Sequence, residues 1–119
     1  MDRGQIVFAP FLYSDLQGTK RRPACVVSAP EFNDGPDVVV AMVTSSRWRF
    51  DRLGVGDVAL EDWQAAGLPR RSLVRTGRLL VLEQRLIQFA LGSVTARDLI
   101  SIDRALCSTL GLGPPLKHS

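Results

Sequence analysis

The chain has 119 residues, 45% hydrophobic and 23% charged, which suits a single domain with one core and excludes a disordered or collagen-like chain. Its formal net charge is +3, and thirteen of its fifteen cations are Arg against two Lys. No apolar run approaches the ~20 residues that cross a bilayer, and the start carries no basic-then-apolar leader pattern, so a cytoplasmic protein with no membrane partner is expected.

Residues 5–9 form a β-rich run between Gly4 and Pro10, residues 24–28 a second, and residues 38–44 a third that is dense in β-branched side chains. Residues 14–22 between the first two read as a polar loop. Asn33-Asp34-Gly35-Pro36 is turn chemistry, and it makes the second and third runs an antiparallel pair. After Thr44 comes an arginine-bearing stretch, then Gly54-Val55-Gly56 as a hairpin turn and a short run over 57–60. Glu61 and Asp62 suit the start of a small helix over 61–66, closed by Gly67. Residues 72–75 and 79–83 read as two further strands and 88–94 as a last one. Thr95 with Asp98 three residues on has the pattern of a capping box, and Leu99, Ile102, Leu106 and Leu110 recur at helical spacing until Gly111. Residues 113–119, with two prolines, read as a short flexible tail, leaving one domain over 1–112. The expected fold is mainly β with helices (α+β): a small SH3-like, partly open β-barrel with an amphipathic C-terminal helix.

The only histidine is His118, one residue from the end, and the two cysteines, Cys25 and Cys107, stand 82 positions apart. A Ser-His-Asp or Cys-His nucleophilic site and a histidine-built zinc site are therefore disfavoured, the cysteines read as buried free thiols, and no cofactor or metal is expected. Glu61-Asp62 are neighbours in sequence, too close to face one site as paired carboxylates do, and Gly54-x-Gly56 is too short for a nucleotide-binding loop. The arginine bias is more informative. A guanidinium grips phosphate oxygens in pairs and stacks on bases, which points to a polyanionic partner. Lys20-Arg21-Arg22, pinned by Pro23, suits a phosphate site but equally a solvated basic loop. Thr44 ends an apolar strand where a hydroxyl can emerge at a groove rim or cap local backbone, and Ser45 can assist it. Arg47-Trp48-Arg49-Phe50 interleaves cations with aromatics as single-strand binders do, the alternative being Trp48 folded onto the core. Arg75 lies in a strand-like run as either a phosphate ligand or an edge charge, and Ser14-Asp15 lies in a loop able to arrange substrate or merely turn the chain.

Taken in order, Arg3-Gly4-Gln5-Ile6-Val7, Lys20-Arg21-Arg22-Pro23-Ala24 with Val26-Val27-Ser28, Val40-Ala41-Met42-Val43-Thr44-Ser45, Leu60-Glu61-Asp62-Trp63, the segment 68–75 and Leu110-Gly111-Leu112 resemble the MazF/PemK toxin family over roughly residues 3–112. The resemblance implies a homodimeric endoribonuclease, the toxin of a type II toxin-antitoxin pair. Such an enzyme cuts single-stranded RNA at short sequences without a metal, through attack of the 2′-hydroxyl, and is neutralised by a cognate antitoxin with an acidic extended C-terminal segment. It also implies that Arg22 and Thr44 are catalytic and that Arg75, as in some members, takes part; Ser14, Asp15, Lys20, Arg21, Ser45 and Trp48 join them as substrate contacts on the residue patterns above. Some members pair the later arginine with an acid two positions on, and here Gly77 stands in that place. An alternative is thus a non-cleaving member of the same fold that binds RNA or, like the related gyrase poisons, a protein.

Overall fold

The computed structural model describes residues 1–12 and 19–113. Six strands form one antiparallel sheet: β1 (Gln5–Leu12), β2 (Thr19–Val26), β3 (Asp37–Thr44), β4 (Asp57–Ala59), β5 (Leu73–Glu83) and β6 (Phe89–Ser93), in the order β4-β5-β3-β2-β1-β6. Two four-residue helices, α1 (Pro30–Asn33) and α2 (Arg47–Phe50), punctuate the first half, and the fifteen-residue helix α3 (Ala96–Leu110) closes the second. The expected class, a curled and partly open antiparallel barrel with a C-terminal helix, is the one observed.

Strand alternation puts apolar side chains on both faces of the sheet. Ile6, Cys25, Ala41, Val43, Val58 and Val74 bury one face beneath Ile102 of α3, while Val7, Ala9, Phe11, Ala24, Val26, Val38, Val40 and Leu82 make a second cluster. Burial in the first of these pushes the Cys25 thiol up to about 12, so this sulfur stays protonated and packs as a small hydrophobe. Cys107 is only half-buried, against the expectation of two buried thiols.

Five local expectations are corrected. The segment Lys20-Arg21-Arg22 is not loop but strand: it pairs with Phe11, Pro10 and Ala9 of β1, and the ladder is indifferent to side-chain charge as long as one face reaches solvent. Residues 72–75 and 79–83 belong to a single strand, β5. Met42 pairs with Arg75 and Ala41 with Leu79, so residues 76–78 bulge out without partners on β3. This odd insertion inverts the alternation, putting Val74 in one cluster and Leu80 and Leu82 against the other, and a period-2 pattern that changes phase reads as two strands. Gly54-Val55-Gly56 turns the chain into β4, which pairs with β5, so it joins no hairpin.

Residues 61–67 form a succession of turns rather than a helix. Six residues are too few to nucleate one alone, and the Asp98 carboxylate, reaching across from α3, accepts the Glu61 and Asp62 amides at 3.0 and 2.9 Å. The same bonds explain why the anticipated capping box does not form. Thr95 precedes α3 without a side-chain cap, and its hydroxyl donates instead to Asp62 Oδ2 at 2.6 Å. Arg97 grips the same carboxylate from Nε and Nη2 at 2.7 Å, and these bonds hold Asp62 well below the usual carboxylate range. α3 ends where expected, at Gly111 with φ +72°. The turn segment crosses to β6: a Cβ on Gly92 would stand 2.5 Å from the Ala66 carbonyl oxygen, so only glycine lets the backbones meet there. Residues 114–119 of the expected tail lie outside the described residues.

Candidate functional site

β2 and β3 run antiparallel with Ala24 opposite Met42, Cys25 opposite Ala41 and Val26 opposite Val40. Continuing that register by two residues on each strand sets Arg22 across from Thr44, on the same face, where β3 ends and β2 extends past it. Both side chains line one small groove of 70 Å³ with Pro23, Ser45, Arg70 and Ser72 among its walls. Arg22 is exposed and Thr44 half-buried, as a guanidinium and a hydroxyl at a groove mouth must be to meet a ligand.

The hydrogen bonds set what these groups can do. Thr44 Oγ1 accepts the Ser46 amide at 3.2 Å, which leaves its O–H proton available to a second acceptor. Ser72 Oγ donates to the Arg70 carbonyl at 2.8 Å, fixing the backbone that carries the second guanidinium. The lining offers two guanidinium groups and three hydroxyls and no carboxylate or imidazole, so it fits an anion with several oxygens and repels a cation. Among the described residues no three His, Cys, Asp or Glu side chains gather as a metal would require.

Ser45 and Arg70 also line an adjoining 560 Å³ groove with Arg47, Phe50, Asp51 and Arg71. Here Arg71 lies over the Phe50 ring, its Cζ 4.2 Å from the centroid. Trp48 does not fold onto the core. It is 53% exposed, with the Arg49 and Arg52 guanidinium groups 4.7 and 4.8 Å from its ring centre.

The other predicted residues disperse. Lys20 is exposed on β2, and Arg21, whose neighbours alternate to the opposite face, lines a separate groove with Arg85 and Leu86. Arg75 stays outside the groove: its Nε meets Asp57 Oδ1 at 3.3 Å, in a pair whose side chains are 17% and 5% exposed. An acid therefore does stand beside Arg75, supplied by the neighbouring strand β4 directly opposite it. Gly77, where the resemblance sought one, is in the β5 bulge with open space around it. Ser14 and Asp15 lie outside the described residues.

Sequence reasoning missed Arg70, Arg71, Asp51 and Asp57. The consecutive arginines after Pro69 are a visible signal, a basic pair at the entrance to a strand. Asp57 has none, because its partner is set by the β4–β5 register.

The PemK-like, MazF-like toxin family of type II toxin-antitoxin systems matches residues 2–110. Among solved structures, an endoribonuclease from Mycobacterial species in complex with its cognate antitoxin is 26% identical, with TM-score 0.77 over 97% of this chain and 99% of that one. MazF from Deinococcus radiodurans is 26% identical with TM-score 0.72, over 93% and 96% of the two chains. The Mycobacterium tuberculosis toxin MazF-mt6 shares the fold at 18% identity, TM-score 0.74, over 92% and 99%. No curated protein is significantly similar in sequence.

Proposed function

Because the chain belongs to the PemK-like, MazF-like toxin family of type II toxin-antitoxin systems, we propose that it is a sequence-specific endoribonuclease that cuts single-stranded RNA without a metal and is held inactive by a cognate antitoxin. The observation that carries this reading is the convergence of Arg22, Thr44 and Arg70 on one cationic groove, in a fold shared with an endoribonuclease along nearly the whole length of both chains.

The reaction is an internal transfer. The ribose 2′-hydroxyl loses its proton and attacks the adjacent phosphorus, a dianionic phosphorane forms, and the 5′-oxygen leaves with a proton, giving a cyclic phosphate and a 5′-hydroxyl. Arg22 meets the two non-bridging oxygens with its fork as their charge grows. Thr44, its oxygen already accepting the Ser46 amide, donates a hydrogen bond from its hydroxyl to a phosphate oxygen. Ser45 and Arg70 hold the neighbouring backbone, and Lys20 adds positive potential on the same face of β2 as Arg22. Trp48, with its ring exposed, stacks an outlying base. Ser14 and Asp15 are substrate contacts on their place in the sequence alone, in the polar loop before the Arg22 strand. Arg75 acts by positioning: its pair with Asp57 locks β4 to β5 beside the Leu73–Thr44 pairing that ends β3. Arg21 serves the RNA path further from the cut.

The active unit is a homodimer, and the antitoxin reaches the groove through an acidic extended segment that takes the place of RNA phosphates. An apolar groove between β1, β3 and β5, walled by Phe11, Met42 and Leu80 and flanked by the exposed Leu79, is suited to a second copy.

The test is cleavage of single-stranded RNA in excess EDTA with analysis of the new ends. Cyclic phosphate and 5′-hydroxyl ends are expected at an undiminished rate. Strict dependence on added magnesium, or 5′-phosphate products, would overturn the mechanism.

A further inference from the structure

The 560 Å³ groove beside Arg22 and Thr44 contains a group that phosphate binding does not explain. Asp51 follows α2, and its amide donates to the Arg47 carbonyl at 3.2 Å. Its carboxylate forms no ion pair or hydrogen bond with any described residue, although Arg47, Arg70 and Arg71 line the same groove. A carboxylate accepts and cannot donate, so it repels phosphate, and the ligand edge that matches it is one that presents N–H groups in place of the water it holds when free. Three arginines around it supply the phosphate contacts, and the Arg71–Phe50 stack, 4.2 Å from guanidinium carbon to ring centre, supplies a flat cationic surface of the kind on which bases lie. The groove shares Ser45 and Arg70 with the small groove of Arg22 and Thr44, so a nucleotide seated there is the immediate neighbour of the phosphate held by Arg22.

We propose that this groove is the subsite for the nucleotide flanking the cut and that Asp51 selects guanine in it. Guanine is the base whose Watson–Crick edge offers two adjacent donors, N1–H and the N2 amine, to match the two oxygens of a carboxylate. Uracil offers one N–H between two carbonyls that the carboxylate repels, and adenine and cytosine offer a single amine beside an acceptor nitrogen. Arg71 carries the base and Asp51 reads it. This rests on the ribonuclease reading above and adds to it the base requirement of one position in the cut site.

The test compares wild type with Asp51→Asn on an RNA pool randomised around the cut, by sequencing the new 5′ ends. It also measures by fluorescence anisotropy the binding of short oligonucleotides that carry a 2′-deoxy sugar at the cut and either guanine or adenine beside it. Wild type is expected to prefer guanine at one flanking position. Asp51→Asn, which presents one acceptor and one donor, is expected to lose that preference by about tenfold to a hundredfold and to gain adenine or cytosine there, with the other positions of the motif unchanged. Asp51 is exposed on the surface, so the amide leaves folding intact, as a thermal melt checks. If wild type cuts RNA and both proteins share one motif, the subsite proposal falls and the ribonuclease reading stands. If wild type binds guanine-containing oligonucleotides preferentially but cuts none, the subsite stands and the ribonuclease reading falls. A wild type that neither cuts nor binds RNA overturns both.

Discussion

In the proposed reaction Arg22 and Thr44 divide one problem between charge and hydrogen bonding. The phosphorane gains a full negative charge relative to the ground state, and a planar guanidinium offers it two parallel N–H bonds where an ammonium offers a single point charge. Arg22→Ala is therefore expected to lower the cleavage rate by at least about a hundredfold, the scale on which loss of one charge-stabilising donor is felt. Arg22→Lys should fall between that and wild type. Single-turnover kinetics on one RNA, with a melting curve to show that both proteins fold, check this, and a folded Arg22→Ala of full activity would remove the core of the mechanism. Arg75 is a different case. Its resemblance-based partner, an acid at position 77, is absent, but Asp57 faces it across the β4–β5 ladder and also accepts the Gly54 amide at 3.0 Å. The pair is largely buried, and each group depends on the other for neutralisation. On this arrangement Gly77 has no vacancy to fill, because the bulge carries it away from the strand face.

At the level of elements, α3 is fastened to the turns 61–67 by two aspartates with different tasks. Asp98, 1% exposed, caps two backbone amides of the turn segment in part-buried hydrogen bonds. Asp98→Ala leaves both unpaired, and a loss of about 2 kcal/mol or more in urea unfolding is expected, against little change for an exposed alanine substitution such as Arg104→Ala. Asp62 is held by Arg97 and Thr95 and titrates well below the usual carboxylate range. A carboxyl whose folded value is depressed contributes stability above its unfolded value, about 3.9, and loses that contribution as pH falls toward the folded value. Melts from pH 7 down to pH 2 should then show wild type losing stability below about pH 4, and Asp62→Asn, which cannot ionise, should be less stable at pH 7 with a shallower acid decline. Equal acid slopes in the two proteins would show that the Arg97 pair adds nothing to folding.

For the molecule as a whole, the cationic grooves and the apolar groove are set on a sheet that curls because β5 bulges and because the turn segment reaches β6 through Gly67 and Gly92. Apolar surface of this kind is costly to leave in water, and pairing two copies is the simplest way to cover it. Light scattering at micromolar concentration is expected to give about twice the 13.1 kDa protomer mass, and a monomer at that concentration would sink the dimer. Inhibition by an antitoxin that competes through acidic residues should weaken as salt rises, since exposed charges more than about 8–10 Å apart are screened near physiological ionic strength. Inhibition that ignores salt would assign the contact to apolar surface instead.

By itself the sequence determined the class of the fold, because the β-rich runs 5–9, 24–28 and 38–44 between turn formers and the helical spacing of Leu99, Ile102 and Leu106 are local patterns that survive in the final structure. It also offered Arg22 and Thr44, a basic triplet before Pro23 and a hydroxyl at a strand end, but only the resemblance to the toxin family singled them out as catalytic candidates. Contacts between distant segments were not legible. The pairing of Asp57 with Arg75, the meeting of Arg22 with Arg70 and the capture of the 61–62 amides by Asp98 each join segments whose relation depends on register. The bulge at 76–78 broke the one signal, phase, from which the continuity of β5 could be read. The tertiary structure decided these points because strand register and helix docking are set by the packing of the whole core, and no window of neighbouring residues contains that information.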